Sequence, residues 1–250
     1  TVNSAASRTL ATLATQPRIS TLNLQFSSGW HETSDFEKGR FEKSWGPASW
    51  DDAILQGPHL HVSTPLYKQP NESMKHNQDW TSTDLETLPV SAQPITQYKP
   101  AGDPATYDQL YTHWGDSSAR DHYRIAWRAM AANTGERTLI SAMIPPGTTH
   151  PNGVFSSGSP TITPRFLVAA QAGLSSLLTD FSLRSLPKSG IYFSDFCRLP
   201  TITDSHPFLA RIILRTLRLN CLSDAYANLW TECWDETFLT DAPILERYDE

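Results

Sequence analysis

Two arginines four residues apart, Arg124 and Arg128, lie among apolar residues in the stretch YRIAWRAMAANTGERTLISAMIPPG (Tyr123–Gly147), and Arg137 opens its second half. A guanidinium is a planar fork of donors that matches a phosphate, or the O6/N7 edge of guanine, in a way an ammonium does not. A spacing of four puts Arg124 and Arg128 on one face in either regular structure: it is even in a strand and about one turn in a helix. The chemistry suggested is recognition of a polyanion. The surrounding charge agrees. Residues 120–200 carry eight basic and four acidic side chains, against eight and 13 in residues 1–119 and four and nine in residues 201–250. A net charge of −6 therefore hides a middle segment at +4, and seven of its eight cations are Arg.

Other chemistries find less support. His59 and His61 could place two imidazoles on one strand face, but a metal site needs a third ligand, and alternate histidines are more often solvated. No Gly-rich phosphate loop, GxSxG elbow or HExxH helix occurs. The NPPY-type tetrapeptide that holds a flipped adenine is also missing, and IPPG (Ile144–Gly147) lacks the amide and the aromatic. Three cysteines, Cys197, Cys221 and Cys233, form no CxxC pair. An odd, scattered set fits a reducing cytoplasm and packing as small hydrophobes. No apolar run reaches membrane-spanning length and no basic-then-apolar leader opens the chain. The sequence begins at Thr1 rather than Met, which suggests a piece of a longer protein.

The elements that must position these residues read as α+β: a mixed antiparallel sheet with long loops, followed by a helical C-terminal segment. ISTLNLQF (Ile19–Phe26) alternates and predicts a strand, as does HLHVSTPLY (His59–Tyr67). HETSDFEKGRFEKSW reads as a charged loop, and Lys68–Pro104 as a long Pro-rich one, of a length that points to function. Tyr123–Met130 and Arg137–Ile144 predict an antiparallel hairpin around the turn at Asn133-Thr134-Gly135. Gly147–Pro160 reads as a flexible loop. Thr163-Pro164 predicts a helix start, with Phe166, Ala170, Leu174, Leu177 and Phe181 on its inner face. IYFSDFCRLP (Ile191–Pro200) alternates like a strand. A helix after Pro207 would turn Leu209, Ile213 and Thr216 inward with Arg211, Arg215 and Arg218 on one stripe, and a third would follow Ser223. The organisation expected is a strand and loop region over 1–118, a recognition core over 119–203 and a helical segment over 204–250.

Four blocks in order resemble large adenine-N6 DNA methyltransferases of bacterial restriction and phage-defence systems, the type IIG and BREX- or DISARM-like enzymes. They are ILQGPHLHVSTPLYKQPNE (Ile54–Glu72), the Tyr123–Gly147 stretch, LSSLLTDFSLRSLPKSGIYFSDFCRLP (Leu174–Pro200) and LRLNCLSDAYANLW (Leu217–Trp230). The first resembles that family's approach to its N-P-F/L-Y-K segment, and the third the helix-then-strand unit of target recognition domains. Residues 1–50 fall outside the resemblance.

The resemblance implies a role: a sequence reader lacking the catalytic core, with S-adenosylmethionine bound and the adenine methylated by another domain of the parent, which in the type IIG members is fused to an endonuclease. Its partners would be double-stranded DNA and that catalytic domain. The residues assigned to DNA are Arg124, Arg128, Arg137, His150, Asn152, Ser156, Arg184, Lys188 and Lys68. Arginines on a strand more often belong to a solvated face with ion pairs worth about 0–1 kcal/mol each. Arg124 would then meet Asp121 or Glu136, and Arg211, Arg215 and Arg218 the acidic tail. Two rival readings differ in class. Trp30, Trp45, Trp50, Trp80 and Trp114 with Asp51-Asp52 suit a carbohydrate-binding or -cleaving domain, and the acidic flanks with a Trp-rich helix suit a scaffold for defence proteins.

Overall fold

The computed structural model describes residues 3–132, 134–186 and 189–241. Its helices are α1 (Ser4–Ala14), α2 (Ser34–Glu37), α3 (Pro104–Leu110), α4 (Pro164–Ser175), α5 (Leu177–Arg184), α6 (Phe193–Phe196), α7 (Leu209–Asn220) and α8 (Ala227–Cys233). Its strands are β1 (Gln25–Ser27), β2 (Phe41–Pro47), β3 (Lys68–Pro70), β4 (Trp80–Ser82), β5 (Ile95–Pro100), β6 (His113–Trp114), β7 (Ser117–Ser118), β8 (Arg124–Arg128), β9 (Ser141–Ile144) and β10 (Val154–Gly158). This is the expected α+β class with a helical C-terminal segment. Among the described residues no single helix is long and apolar enough to cross a membrane.

The centre is a four-stranded antiparallel sheet in the order β1-β10-β8-β9. The expected hairpin is its β8–β9 pair, with Arg124 opposite Ile144 and Trp127 opposite Ser141. Because side chains alternate along a strand, β8 serves two layers. Ile125 and Trp127 face α4, α6 and α7, and the Trp127 ring stacks on Phe196 at 4.1 Å. Ala126, with Ala142, Ile144 and Val154, faces an irregular layer of Ala48, Ala53, Leu55 and Leu60. The sheet is therefore covered on both sides. The helix-side core draws on all three expected segments, from Ile19 and Leu24 through Trp127 to Leu217 and Phe238.

Four local expectations are corrected. Ile19–Leu22 is a 3-10 turn, because Asn23 turns left-handed at φ 51°, and only Gln25–Ser27 forms strand. Residues 59–67 are turns rather than a strand: the 3-10 turn Gly57–His59 ends there, and the His59 ring is bonded within it. Residues 154–158 are not a loop but the second strand of the central sheet, where Ser156 and Ser157 occupy fully buried positions. The predicted strand at 191–200 is a turn of helix, α6, whose start is held by Asp195 accepting from the Tyr192 N–H. The charged stretch after Gly29 also contains α2 and β2, and the long Pro-rich loop contains β3, β4 and β5.

The C-terminal helices follow the sequence more closely. α4 starts with Pro164 after Thr163 as expected. It breaks at Ser176, however, and α5 leaves at 59°, so Leu177 and Phe181 lie exposed instead of inward. On α7, Leu209, Ile213 and Thr216 are buried, and Arg211 and Arg215 reach Asp241.

Candidate nucleic-acid interface

The arginines of the middle segment do not form a cationic face. Arg124 and Arg128 share the side of β8 that carries Ala126, but that side is roofed by residues 48–60 and 145–151. Arg124 is fully buried. Its guanidinium donates to the Thr148 carbonyl and hydroxyl and to the His122 carbonyl. Desolvation, the largest influence, pulls its pKa below the ordinary guanidinium value. Among the described residues no carboxylate is bonded to it; carbonyl and hydroxyl oxygens take its donors. Arg128 is half-buried and donates to the carbonyls of Gly57 (2.8 Å) and Leu60 (2.6 Å). Arg137 and Arg184 converge on the buried carboxylate of Asp180, at 3.5 and 3.1 Å. Arg120 pairs with Asp108 and Arg165 with Asp235. Of the described cations between 120 and 200, Arg198 alone is exposed. Expected DNA contacts by Arg124, Arg128, Arg137 and Arg184 are thus corrected to internal braces.

The loop assignments change as well. His150 and Ser156 are fully buried, 2.8 Å apart. With His150 Nδ1–H donating to the Pro151 carbonyl, Nε2 accepts from the serine hydroxyl. Burial first, then Arg124 nearby, depresses the imidazole pKa to about 3. So weak a base with no solvent access makes a structural pair and no nucleophilic dyad. His59 is another sealed imidazole, lowered to about 4 by desolvation. Its Nε2–H donates to the Ile95 carbonyl at 2.8 Å and Nδ1 accepts from the Gln56 N–H, tying the 57–59 turn to β5. Asn152 is exposed, and Lys68 is half-buried above the Tyr67 ring at 5.4 Å. Lys188 lies outside the described residues. Among the described residues no group of three or more His, Cys, Asp or Glu is arranged to hold a metal.

An open groove of roughly 760 Å³ lies instead beside two two-stranded ribbons, β2–β5 and β3–β4. β2 contributes Lys43, Ser44 and Trp45, and β5 contributes Gln97 and Tyr98. The 57–59 turn and the residue before it contribute Gln56, Gly57 and Pro58. The β3–β4 hairpin adds Ser73, Asn77 and Trp80, and Pro151 and Gly153 flank the exposed Asn152 at the far end. Trp45 joins the ribbons by donating its indole N–H to the Pro70 carbonyl at 2.8 Å. Arg128 bonds the Gly57 carbonyl of the groove wall, so this half-buried arginine supports the surface it was expected to form. The walls offer three side-chain amides, three hydroxyls and aromatic edges, with Lys43 balanced by Glu32 and Glu72. Lys43 and Lys75 are exposed and form no ion pair among the described residues. Sequence reasoning missed this groove because β2 and β5 come together from distant segments. Lys68 and the polar run after it were the only pointers.

Compared with protein-family models and with curated proteins, the chain matches none.

Proposed function

We propose that this chain is the sequence-recognition part of an adenine-N6 DNA methyltransferase of the restriction or phage-defence type. Its DNA face is the ribbon groove and not the arginine strand. The order of the four sequence blocks supports the family. One observation carries the placement: two antiparallel ribbons border an open groove whose walls set amides and hydroxyls beside Lys43, Glu32 and Glu72. The major groove of DNA admits a two-stranded ribbon, and amides read adenine edges bidentately. Lys43, Lys75 and Lys68 supply phosphate contacts that set register. S-adenosylmethionine and the flipped base belong to the catalytic domain of the parent, at an unstacking cost of a few kcal/mol.

Titrating the chain against duplex DNA at two salt concentrations tests this. With about three lysines on phosphates, log affinity should fall with log salt at a slope of about −3. A second reading, carbohydrate binding, is favoured by one feature: Trp45 is 42% exposed in a groove that also holds Glu32 and Glu72. Salt-insensitive binding to an oligosaccharide panel, with none to duplex DNA, would replace the first reading by the second.

A further inference from the structure

The β3–β4 hairpin carries a nine-residue loop, 71–79, between Pro70 and Trp80, which are paired in register. Such a polar loop would ordinarily sample many conformations. This one is closed from inside by a single carboxylate. Asp79 Oδ1 accepts from the Asn71 amide at 2.6 Å, and Oδ2 accepts from the Ser73 hydroxyl at 2.9 Å and the Lys75 N–H at 3.1 Å. Asn71 Oδ1 in turn accepts from the Thr81 hydroxyl at 2.7 Å, which fixes the amide's orientation. Backbone bonds Asn71 N–H to Asp79 O and Asp79 N–H to His76 O complete the ring. These bonds hold the Asp79 pKa below the ordinary 3.8, the Asn71 amide being the largest cause.

What the ring presents is the tip Lys75-His76-Asn77-Gln78, all four exposed. The side chains of Lys75, Asn77 and Gln78 make no hydrogen bond to the protein among the described residues, and Asn77 lines the groove. A rigid loop bearing two unused amides beside one unpaired cation is what base reading needs: amides that pair with the N6/N7 edge of adenine, and a cation for the adjacent phosphate. Resting on the DNA-recognition reading, we infer that the Lys75–Gln78 tip is the base-reading element, that Asn77 and Gln78 specify adenines in the bound site, and that Asp79 is their positioning residue.

Selection of the 250-residue chain on a random-sequence duplex pool tests this. The wild type should enrich a site containing adenine. Asn77→Ala and Gln78→Ala should each flatten one adenine position and weaken the selected site roughly 5- to 150-fold, the worth of one bidentate pair. Lys75→Gln should weaken all sequences alike and flatten the salt slope by about 0.9. In Asp79→Asn either orientation of the new amide sets an N–H against an N–H, of Asn71 or of Lys75. That variant should flatten both adenine positions while keeping salt-sensitive binding to random duplex. The exposed, unbonded Asn77 and Gln78 carry the test even where Asp79→Asn unfolds the hairpin. An enriched site unchanged in both alanine variants would overturn the tip assignment while leaving DNA recognition standing. A wild type with no salt-sensitive duplex binding would overturn both.

Discussion

The arginine strand and the ribbon tip carry similar numbers of hydrogen-bonding side chains and put them to opposite use. On β8 and around it, every described guanidinium from Arg120 to Arg184 is bonded to a carbonyl or a carboxylate of the chain. At the tip, the internal bonds end on Asn71, Ser73 and the Lys75 backbone, and the side chains of Lys75, Asn77 and Gln78 remain unengaged. Charge counted along a sequence is therefore a poor guide to charge on a surface. Arginine has enough donors to be satisfied by backbone oxygens, which is why a locally basic segment disappears into the fold while the acidic N-terminal half exposes unpaired lysines.

Several substitutions would sharpen that contrast. The largest effect is expected from Asp180→Ala, which strips a buried carboxylate from Arg137, Arg184 and the N–H groups of Thr138 and Leu139. Breaking a buried pair in this way costs about 3–5 kcal/mol, to be read as a shifted urea midpoint. Arg124→Ala empties a buried volume and leaves the Thr148 carbonyl without its guanidinium. A loss of about 3 kcal/mol is expected, or a drop in Tm of about 6–12 °C. An unchanged midpoint in either variant would mean that these groups are solvated after all.

Acid should act on a comparable scale. His59 and His150 are neutral in the fold, at about 4 and about 3, below the ordinary 6.5. Below pH 6.5 the unfolded chain takes up protons that the folded chain refuses. Stability is thus complete above that pH and is lost as pH falls toward 4 and then 3, at about 1.4 kcal/mol per pH unit for each histidine. Urea midpoints that stay flat from pH 6.5 to 5 would show that the imidazoles are not sealed. The smallest effect belongs to the exposed Arg211, 3.7 Å from an Asp241 carboxylate that Arg215 holds more closely, so Arg211→Ala should cost about 0–1 kcal/mol.

Regular elements were legible where apolar spacing alone decides them. The β8–β9 pairing followed from alternation, α4 from Thr163-Pro164, and the inner face of α7 from Leu209, Ile213 and Thr216. β10 was hidden because its interior positions are Ser156 and Ser157, polar residues satisfied by His150 and by the Gln25 carbonyl. α6 was hidden because Ile191, Phe193, Cys197 and Leu199 fall on odd positions and read as one face of a strand, while Asp195 caps the turn. The groove was the least legible. It joins residues from 32 to 153 across seven separate segments, and no periodicity marks the 71–79 loop, whose order comes from one carboxylate.

On the proposed reading, DNA meets the ribbon tip and not the arginine strand. The most direct measurement compares duplex affinity and salt slope for Lys43→Gln combined with Lys75→Gln against Arg128→Gln, with each variant's fold checked by its thermal transition. The lysine variant should melt like the wild type, bind duplex at least about tenfold more weakly and lose about two from the magnitude of the salt slope. The folded Arg128→Gln variant should keep the wild-type slope. Wild-type binding by the lysine variant, with a flattened slope in folded Arg128→Gln, would contradict the account.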